Sequence, residues 1–401
     1  MEKEDPFQKP RSRLSQIPSS IWVLGFVSML MDISSEMIHS LLPLFMITTL
    51  GLSTLTIGFI EGLAEATALM VKVFSGALSD YLGKRKGLTV LGYALSAVTK
   101  PLFAIASTAS MVLTARISDR MGKGIRDAPR DALIADITPF HLRGAAFGLR
   151  QSLDTAGAVL GPLLSVGLML LWANNFRAIF WVAVIPGVLA VLLLIFFFKE
   201  PVAQTTVKYH NPMHFHNVKR LGSLFWWVVA VGVVFTLARF SEAFLILRAQ
   251  QVGVPMALVP LVIIAMNIIY SLTAYPFGDL SDKMSHTKLL TFGLIVLICA
   301  DLFLAISHHW ITMIFGVLLW GVHMGMTQGL LSAMVSKAAP MDLRGTAFGI
   351  FNLMNGVTML ISSVIAGLLW EALGSAFTFY AGAAFCVLAL VVGLSYTYRT
   401  M

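Results

Sequence analysis

Charge is scarce in this chain. Of 401 residues only 12% are Asp, Glu, Lys or Arg, about half the share found in soluble domains. Too few polar side chains exist to cover a wet surface. The hydrophobic content of 57% and the mean hydropathy of +0.83 say the same. A disordered chain and a nucleic-acid reader are excluded. Cysteine is nearly absent as well. Cys299 and Cys386 both lie in apolar runs, which reads as packing and excludes a disulfide-stapled secreted domain. There is no Walker A loop, and Gly122-Lys-Gly lacks the spacing of one, so ATP is not the expected energy source. No Ser-His-Asp or zinc-protease pattern is recognisable, so neither an enzyme nor a cofactor is expected. A signal peptide is not expected either. The first 20 residues are polar, and the apolar run over 21–50 is too long for one.

What the chain has is apolar runs. A bilayer span needs roughly 20 such residues. Runs between turn and charge clusters predict twelve helices, over 20–47, 54–79, 87–108, 111–134, 144–172, 177–198, 222–249, 256–279, 288–307, 309–335, 345–371 and 375–398. With the N-terminus placed inside, the inner connections and their edges collect Lys84, Arg85, Lys86, Arg143, Lys199, Lys283, Lys337 and Arg344 among others, and the outer ones hold only Arg177. This asymmetry puts both termini in the cytoplasm and explains the net charge of +8. The expected organisation is a tail over 1–19, a six-helix bundle over 20–198, a cytoplasmic linker over 199–221 and a second bundle over 222–398. His210, His214 and His216 in the linker read as a solvated segment before a metal or pH-sensing loop.

The halves repeat at an offset of about 201 residues. Gly76-Ala-Leu-Ser-Asp80 matches Gly278-Asp-Leu-Ser-Asp282, and Arg143-Gly-Ala-Ala-Phe-Gly148 matches Arg344-Gly-Thr-Ala-Phe-Gly349. Parallel six-helix repeats place a solute site between two bundles. Gly76 to Lys86 resembles the signature loop between helices 2 and 3 of the major facilitator superfamily, and Gly278 to Lys288 resembles its second copy, with Ser285 in place of glycine. Arg120 with Gly124 resembles a helix-4 motif of that family. Gly157-Ala-Val-Leu-Gly161-Pro162 resembles its exporter motif, although Ser165 and Val166 stand where a glycine pair is expected. The resemblance spans nearly the whole chain. It implies an all-α membrane protein of twelve transmembrane helices in two six-helix bundles, working by alternating access. It also implies that Asp80 gates the cytoplasmic side, with Arg130 as a partner and Arg85 in the same loop.

Charges inside spans narrow the chemistry, because each costs at least about 2.5–3.5 kcal/mol at a helix centre unless it meets a partner or a wet cavity. Most fall in the first half. Asp32, Glu36 and His39 share one helix face by their spacing of four and three. With Glu61, Glu65 and Asp154 they form the expected proton-coupling set. Ion pairing is the competing role, and a divalent-metal site at Asp32, Glu36 and His39 a third. On the fourth helix Arg116, Arg120, Lys123, Asp127 and Arg130 form a charged stripe. Arg116, Arg120 and Lys123 either hold an anionic group or neutralise the acids of the first two helices. Arg126, Asp127, Arg130 and Asp131 are expected at a cytoplasmic gate. From the second half Arg239, Asn267, His323, Gln328, Asn352 and Asn355 complete the expected solute-binding set, with packing as the alternative for each.

The expected activity is proton-coupled secondary transport of a small anionic or zwitterionic organic solute, such as a carboxylate, amino acid or siderophore. The partners are the solute, protons and the lipid bilayer, with no nucleic acid and no resident metal, in a monomer of a bacterial-type inner membrane. Drug export and divalent-metal export are the alternatives within transport. A membrane sensor that moves nothing is the rival outside it.

Overall fold

The computed structural model describes residues 16–82, 85–198, 220–327, 329–340 and 343–400, without the side chains of Asp80, Asp282 and residues 394–400. The described residues form helices and no strand. In order these are α1 (Ser19–His39), α2 (Leu42–Thr48), α3 (Thr54–Leu82), α4 (Arg85–Ile105), α5 (Ala109–Ile137), α6 (Arg143–Leu171), α7 (Phe176–Phe197), α8 (Ser223–Ala238), α9 (Ala243–Gln251), α10 (Leu261–Lys283), α11 (His286–Ile306), α12 (Trp310–Thr327), α13 (Leu330–Ala338), α14 (Arg344–Leu373) and α15 (Ser375–Thr400). The pairs α1–α2, α8–α9 and α12–α13 each make one span. The result is twelve spans in two six-helix bundles.

Ten of the twelve are apolar enough to qualify as spans by composition. The two that fall short are α3 and α5, which carry the charges. Their acids and bases meet inside the first bundle. Lys100 of α4 reaches Asp119 at 2.8 Å and Ser35 at 2.9 Å. Close helix approach makes these pairs short. A Cβ added at Gly122 of α5 would lie 2.7 Å from the Gly92 carbonyl of α4, and one at Gly124 would lie 2.9 Å from the Ala68 carbonyl of α3. The second bundle has an aromatic core instead. Phe240 contacts Phe244, Trp320 and Phe379 with ring centroids 5.5–5.6 Å apart.

Among the described residues, two helices predicted as continuous are interrupted. The first run ends at His39 and restarts at Leu42, one residue before Pro43, which lacks the N–H a continuing helix needs. The seventh stops at Ala238 and restarts at Ala243, with neither Pro nor Gly at the break. Ser40 and Ser241 occupy equivalent positions under the 201-residue offset. Both breaks expose backbone groups that lipid cannot satisfy, and each is met by a serine from a neighbouring helix. Ser165 of α6 donates to the Met37 carbonyl at 3.0 Å. Ser362 of α14 donates to the Leu237 carbonyl at 3.0 Å, and the Ser241 N–H donates to Ser363 Oγ at 3.2 Å.

The bundles meet along α3 and α14 through small residues. A Cβ on Gly62 would lie 2.9 Å from Ser363 Cβ, and one on Gly367 would lie 2.6 Å from the Thr54 carbonyl. Thr54 Oγ1 donates to the Gly367 carbonyl, and the Leu55 N–H donates to Glu371, both at 3.3 Å. Small residues let two backbones approach in lipid, where no hydrophobic force drives them together.

Candidate functional site

A cavity of about 430 Å³ lies between the bundles, within the range of small-molecule sites. The break between α1 and α2 and the break between α8 and α9 both open onto it. His39, Ser40 and Pro43 line it on one side, and Arg239, Ser241, Glu242 and Ala243 on the other. Asp32 and Glu36 of α1, Glu61 and Glu65 of α3, Arg120 and Lys123 of α5, and Asp154 of α6 complete the first-bundle wall. From the second bundle Asn267 and Tyr270 of α10 add hydrogen-bonding groups.

Several of these charges are already matched. Arg116, 1% exposed, stands behind the wall and holds Glu61 through Nε at 3.1 Å and Nη2 at 2.6 Å. Arg120 Nη2 binds Glu65 at 2.9 Å and also contacts the His39 ring. His39 lies 3.7 Å from Glu36. Asp154 meets Arg150 at 3.3 Å, and the same nitrogen of Arg150 is 3.3 Å from Asp131. Among the described residues, four cavity charges have no ion pair or side-chain hydrogen bond. These are Asp32 and Lys123 in the first bundle, and Arg239 and Glu242 in the second. Each bundle thus offers the cavity one open acid and one open base.

Of the residues expected to bind solute, the structure brings Arg120, Lys123, Arg239 and Asn267 to the cavity. It does not bring Arg116, His323, Asn352 or Asn355 to its lining. His323 is fully buried, with Nδ1 2.8 Å from the Gly293 carbonyl and its ring 5.4 Å from Phe235. Asn355 accepts from Thr236 at 3.3 Å. Gln328 lies outside the described residues. The six residues of the proton-coupling set all line the cavity.

The residues expected at the gate cluster at the α3–α4 and α5–α6 end of the first bundle. Arg130 contacts Asp131 at 3.2 Å, Asp127 at 3.6 Å and Ser28 at 3.0 Å. Arg126 donates to Ser96 at 2.8 Å and stacks on Tyr93 at 4.6 Å. Arg85 meets Asp136 at 3.3 Å. The side chain of Asp80 and the linker histidines lie outside the described residues.

Ligand atoms of His39, Glu61 and Glu65 lie within 4.8 Å of one another, as a metal site would require. Arg116 and Arg120 already hold these groups, however, and a divalent cation would have to displace two guanidinium ions. The predicted alternative of Asp32, Glu36 and His39 is not the set that converges. The solute-binding set also omitted Glu242, which lines the cavity three residues after Arg239. An acid and a base three apart in an apolar run was the signal that pointed to it.

The sequence pattern described as Major Facilitator Superfamily matches residues 24–266 and 228–400. An uncharacterised MFS-type transporter of Methanocaldococcus jannaschii is 36% identical over 399 residues, covering 98% of this chain and 97% of that one. The quinolone resistance protein NorA of Staphylococcus aureus is 27% identical over 217 residues, 54% of each chain. A solved POT family transporter in complex with 5-aminolevulinic acid shares the fold with a TM-score of 0.78 at 14% identity, covering 95% of this chain and 96% of that one. The twelve spans, the internal repeat, the cavity between the bundles and these likenesses agree: the chain belongs to the Major Facilitator Superfamily, a family of multi-pass membrane transporters.

Proposed function

We propose that the protein is a proton-coupled secondary transporter of a small zwitterionic organic solute, such as an amino acid. The observation that carries this reading is the set of open charges on facing bundles, Asp32 with Lys123 and Arg239 with Glu242. A solute with an ammonium and a carboxylate group supplies a counter-charge to both kinds. It relieves an unmet cost of at least about 2.5–3.5 kcal/mol for each charge buried at mid-membrane. A solute spanning the cavity then ties the two bundles together, which is what alternating access requires. Asp32, with no ion pair or side-chain hydrogen bond among the described residues and one turn from Glu36, is the proposed proton carrier, with Glu65 and Asp154 behind it. The Arg130 cluster is the proposed gate. The setting is an inner membrane with both termini and the 199–221 linker in the cytoplasm.

Export of an organic cation is a second reading. It draws on the partial likeness to NorA and on the six carboxylates of the cavity lining. One experiment separates the two. Purified protein is melted in the presence of amino acids, mono- and dicarboxylates, cationic drugs and divalent metals at two pH values. A ligand of the native state raises the melting temperature by mass action. Stabilisation by zwitterions, lost in Lys123→Ala and Arg239→Ala, supports the first reading. Stabilisation by cations alone, lost in Asp32→Asn and Glu242→Gln, replaces it with the second.

A further inference from the structure

Arg150 of α6 belongs neither to the cavity lining nor to the expected gate, yet it touches both. Its Nη1 lies 3.3 Å from Oδ2 of Asp154, on the cavity wall, and 3.3 Å from Oδ1 of Asp131, beside Arg130. Nη2 donates to Gln151 at 3.0 Å. Nε is buried and has no hydrogen-bond partner among the described residues, and the same is true of Asp154 Oδ1. An arginine that meets a carboxylate favours two parallel hydrogen bonds. Toward Asp154 that pairing is half made.

At the other end the acceptor is crowded. Asp131 Oδ1 is reached by Nε and Nη2 of Arg130, both at 3.2 Å, and by Nη1 of Arg150. Arg130 also has Ser28 at 3.0 Å and Asp127 at 3.6 Å. Two arginines thus divide one oxygen, and one of them also leans on Asp154. The side chains of Arg150 and Asp154 are only 13% and 16% exposed, so a change of one charge is felt strongly. Asp154 shares the cavity with Asp32 and Glu36 of α1, Lys123 of α5 and Tyr270 of α10. Asp32 is adjacent, since a Cβ added at Gly157, one turn on from Asp154, would lie 2.9 Å from Asp32 Cβ. Arg126 of α5 is turned to Ser96 and Tyr93, and α7 has no charged residue but Arg177 near its start.

We infer that Arg150 carries the charge state of Asp154 to the Arg130 cluster. With Asp154 ionised, Arg150 is shared between the two acids, as seen here. With Asp154 neutralised by a proton, Asp131 is the one carboxylate left to Arg150. Arg150 then displaces Arg130 from the shared oxygen and leaves it on Ser28 and Asp127. The loading of a cavity acid is thereby felt at the gate end of the bundle. Arg150 is a positioning residue in this scheme and touches no solute. The link to transport rests on the proposed function; the link between the charges does not.

The test reads the separation of the bundles at the gate end, in the full chain in proteoliposomes with no solute. Spin labels sit on His141→Cys, in the α5–α6 connection, and Lys288→Cys, in the first turn of α11, with Cys299→Ala and Cys386→Ala as background. Both positions are exposed, and the repeat puts them at one end of the molecule. The ratio of short to long distances is followed as a function of pH. Asp154→Asn, which mimics the protonated acid, is expected to move the ratio at neutral pH toward its acid value by about fivefold. In an Arg150→Gln background it is expected to have no such effect. Arg150→Lys, which keeps the charge and loses the fork, restores part of it. An equal Asp154→Asn shift in the Arg150→Gln background overturns the inference, and so does the absence of any shift. Should Arg150→Gln not fold, Asp131→Asn takes its place, because the two acids have Arg150 as a common partner. Loss of the Asp154→Asn effect then supports the linkage, and additive effects overturn it. If the ratio ignores pH while Asp154→Asn shifts it through Arg150, the proton-coupled reading fails and the linkage stands. If the ratio follows pH and Asp154→Asn does nothing, the reverse holds.

Discussion

Arg116 grips Glu61 with two parallel hydrogen bonds, Nε to Oε1 at 3.1 Å and Nη2 to Oε2 at 2.6 Å, joining α5 to α3 behind the cavity wall. Planar bidentate geometry of this kind is what arginine supplies and lysine does not. Breaking a buried pair on one side leaves an uncompensated charge, at a cost of about 3–5 kcal/mol. Arg116→Met and Glu61→Leu should therefore each destabilise the protein strongly, while the double variant loses much less than their sum. Denaturant or thermal melts of the three variants check this. A sum of independent losses would mean that the pair is not the unit.

Lys123 and Arg239 behave differently because, among the described residues, they hold no ion pair or side-chain hydrogen bond. Their replacement by alanine should leave the melting temperature within a few degrees of the native protein. Affinity for a zwitterionic ligand should fall by at least about tenfold in each, since truncating one member of a desolvated charge pair costs about 2–5 kcal/mol. Calorimetry or ligand-induced melting shifts read both quantities. Equal losses of stability and affinity would instead assign these residues to the scaffold.

Ser165 and Ser362 are small side chains with an outsized expected effect. Each satisfies a carbonyl released by a broken helix. Alanine at either position leaves that carbonyl unpaired in a dry interior, at a cost of about 1–3 kcal/mol. The two sites belong to different bundles and share no partner, so Ser165→Ala and Ser362→Ala should add in the double variant. Melts of the single and double variants test the size and the additivity.

How much of this was legible beforehand follows from particular residues. The twelve spans and the two bundles were readable because apolar runs and basic loops obey bilayer physics. The carboxylates of α1 and α3 were readable as cavity groups because charge in a span must face water or a partner. The breaks were harder. Pro43 announces the first, but nothing between Ala238 and Ala243 announces the second. Its backbone groups are rescued by Ser362 and Ser363, more than 120 residues away in sequence, and a single sequence does not show such a pairing. Ser165 looked like a departure from the exporter motif; in the structure its hydroxyl is the partner of the Met37 carbonyl. The separation of Arg116 from Lys123 also needed coordinates. Both lie on one stripe by spacing, and only packing decides that one is matched behind the wall and the other is open.

The seam between α3 and α14 gives a further expectation. Gly367→Val places a side chain where even a Cβ would sit 2.6 Å from the Thr54 carbonyl. The bundles should then be wedged apart at that end. Spin labels on Ser53 and Leu373 would report it as a lengthened distance between the bundles. An unchanged distance would mean that the seam tolerates bulk and does not set the approach.

The charged character of α3 and α5 also bears on how the chain enters the bilayer in the first place. A segment rich in Asp, Glu, Lys and Arg partitions poorly on its own, since each such residue at the helix centre opposes insertion by about 2.5–3.5 kcal/mol. Yet the partners that neutralise them are on adjacent spans: Lys100 for Asp119, Arg116 for Glu61, and Arg120 for Glu65. Helix α3 must therefore wait for α5, and α5 leans on α4, before either is at home in lipid. Biogenesis of the first bundle is therefore expected to be cooperative. In the second bundle every span is long and apolar enough to cross a membrane by composition alone.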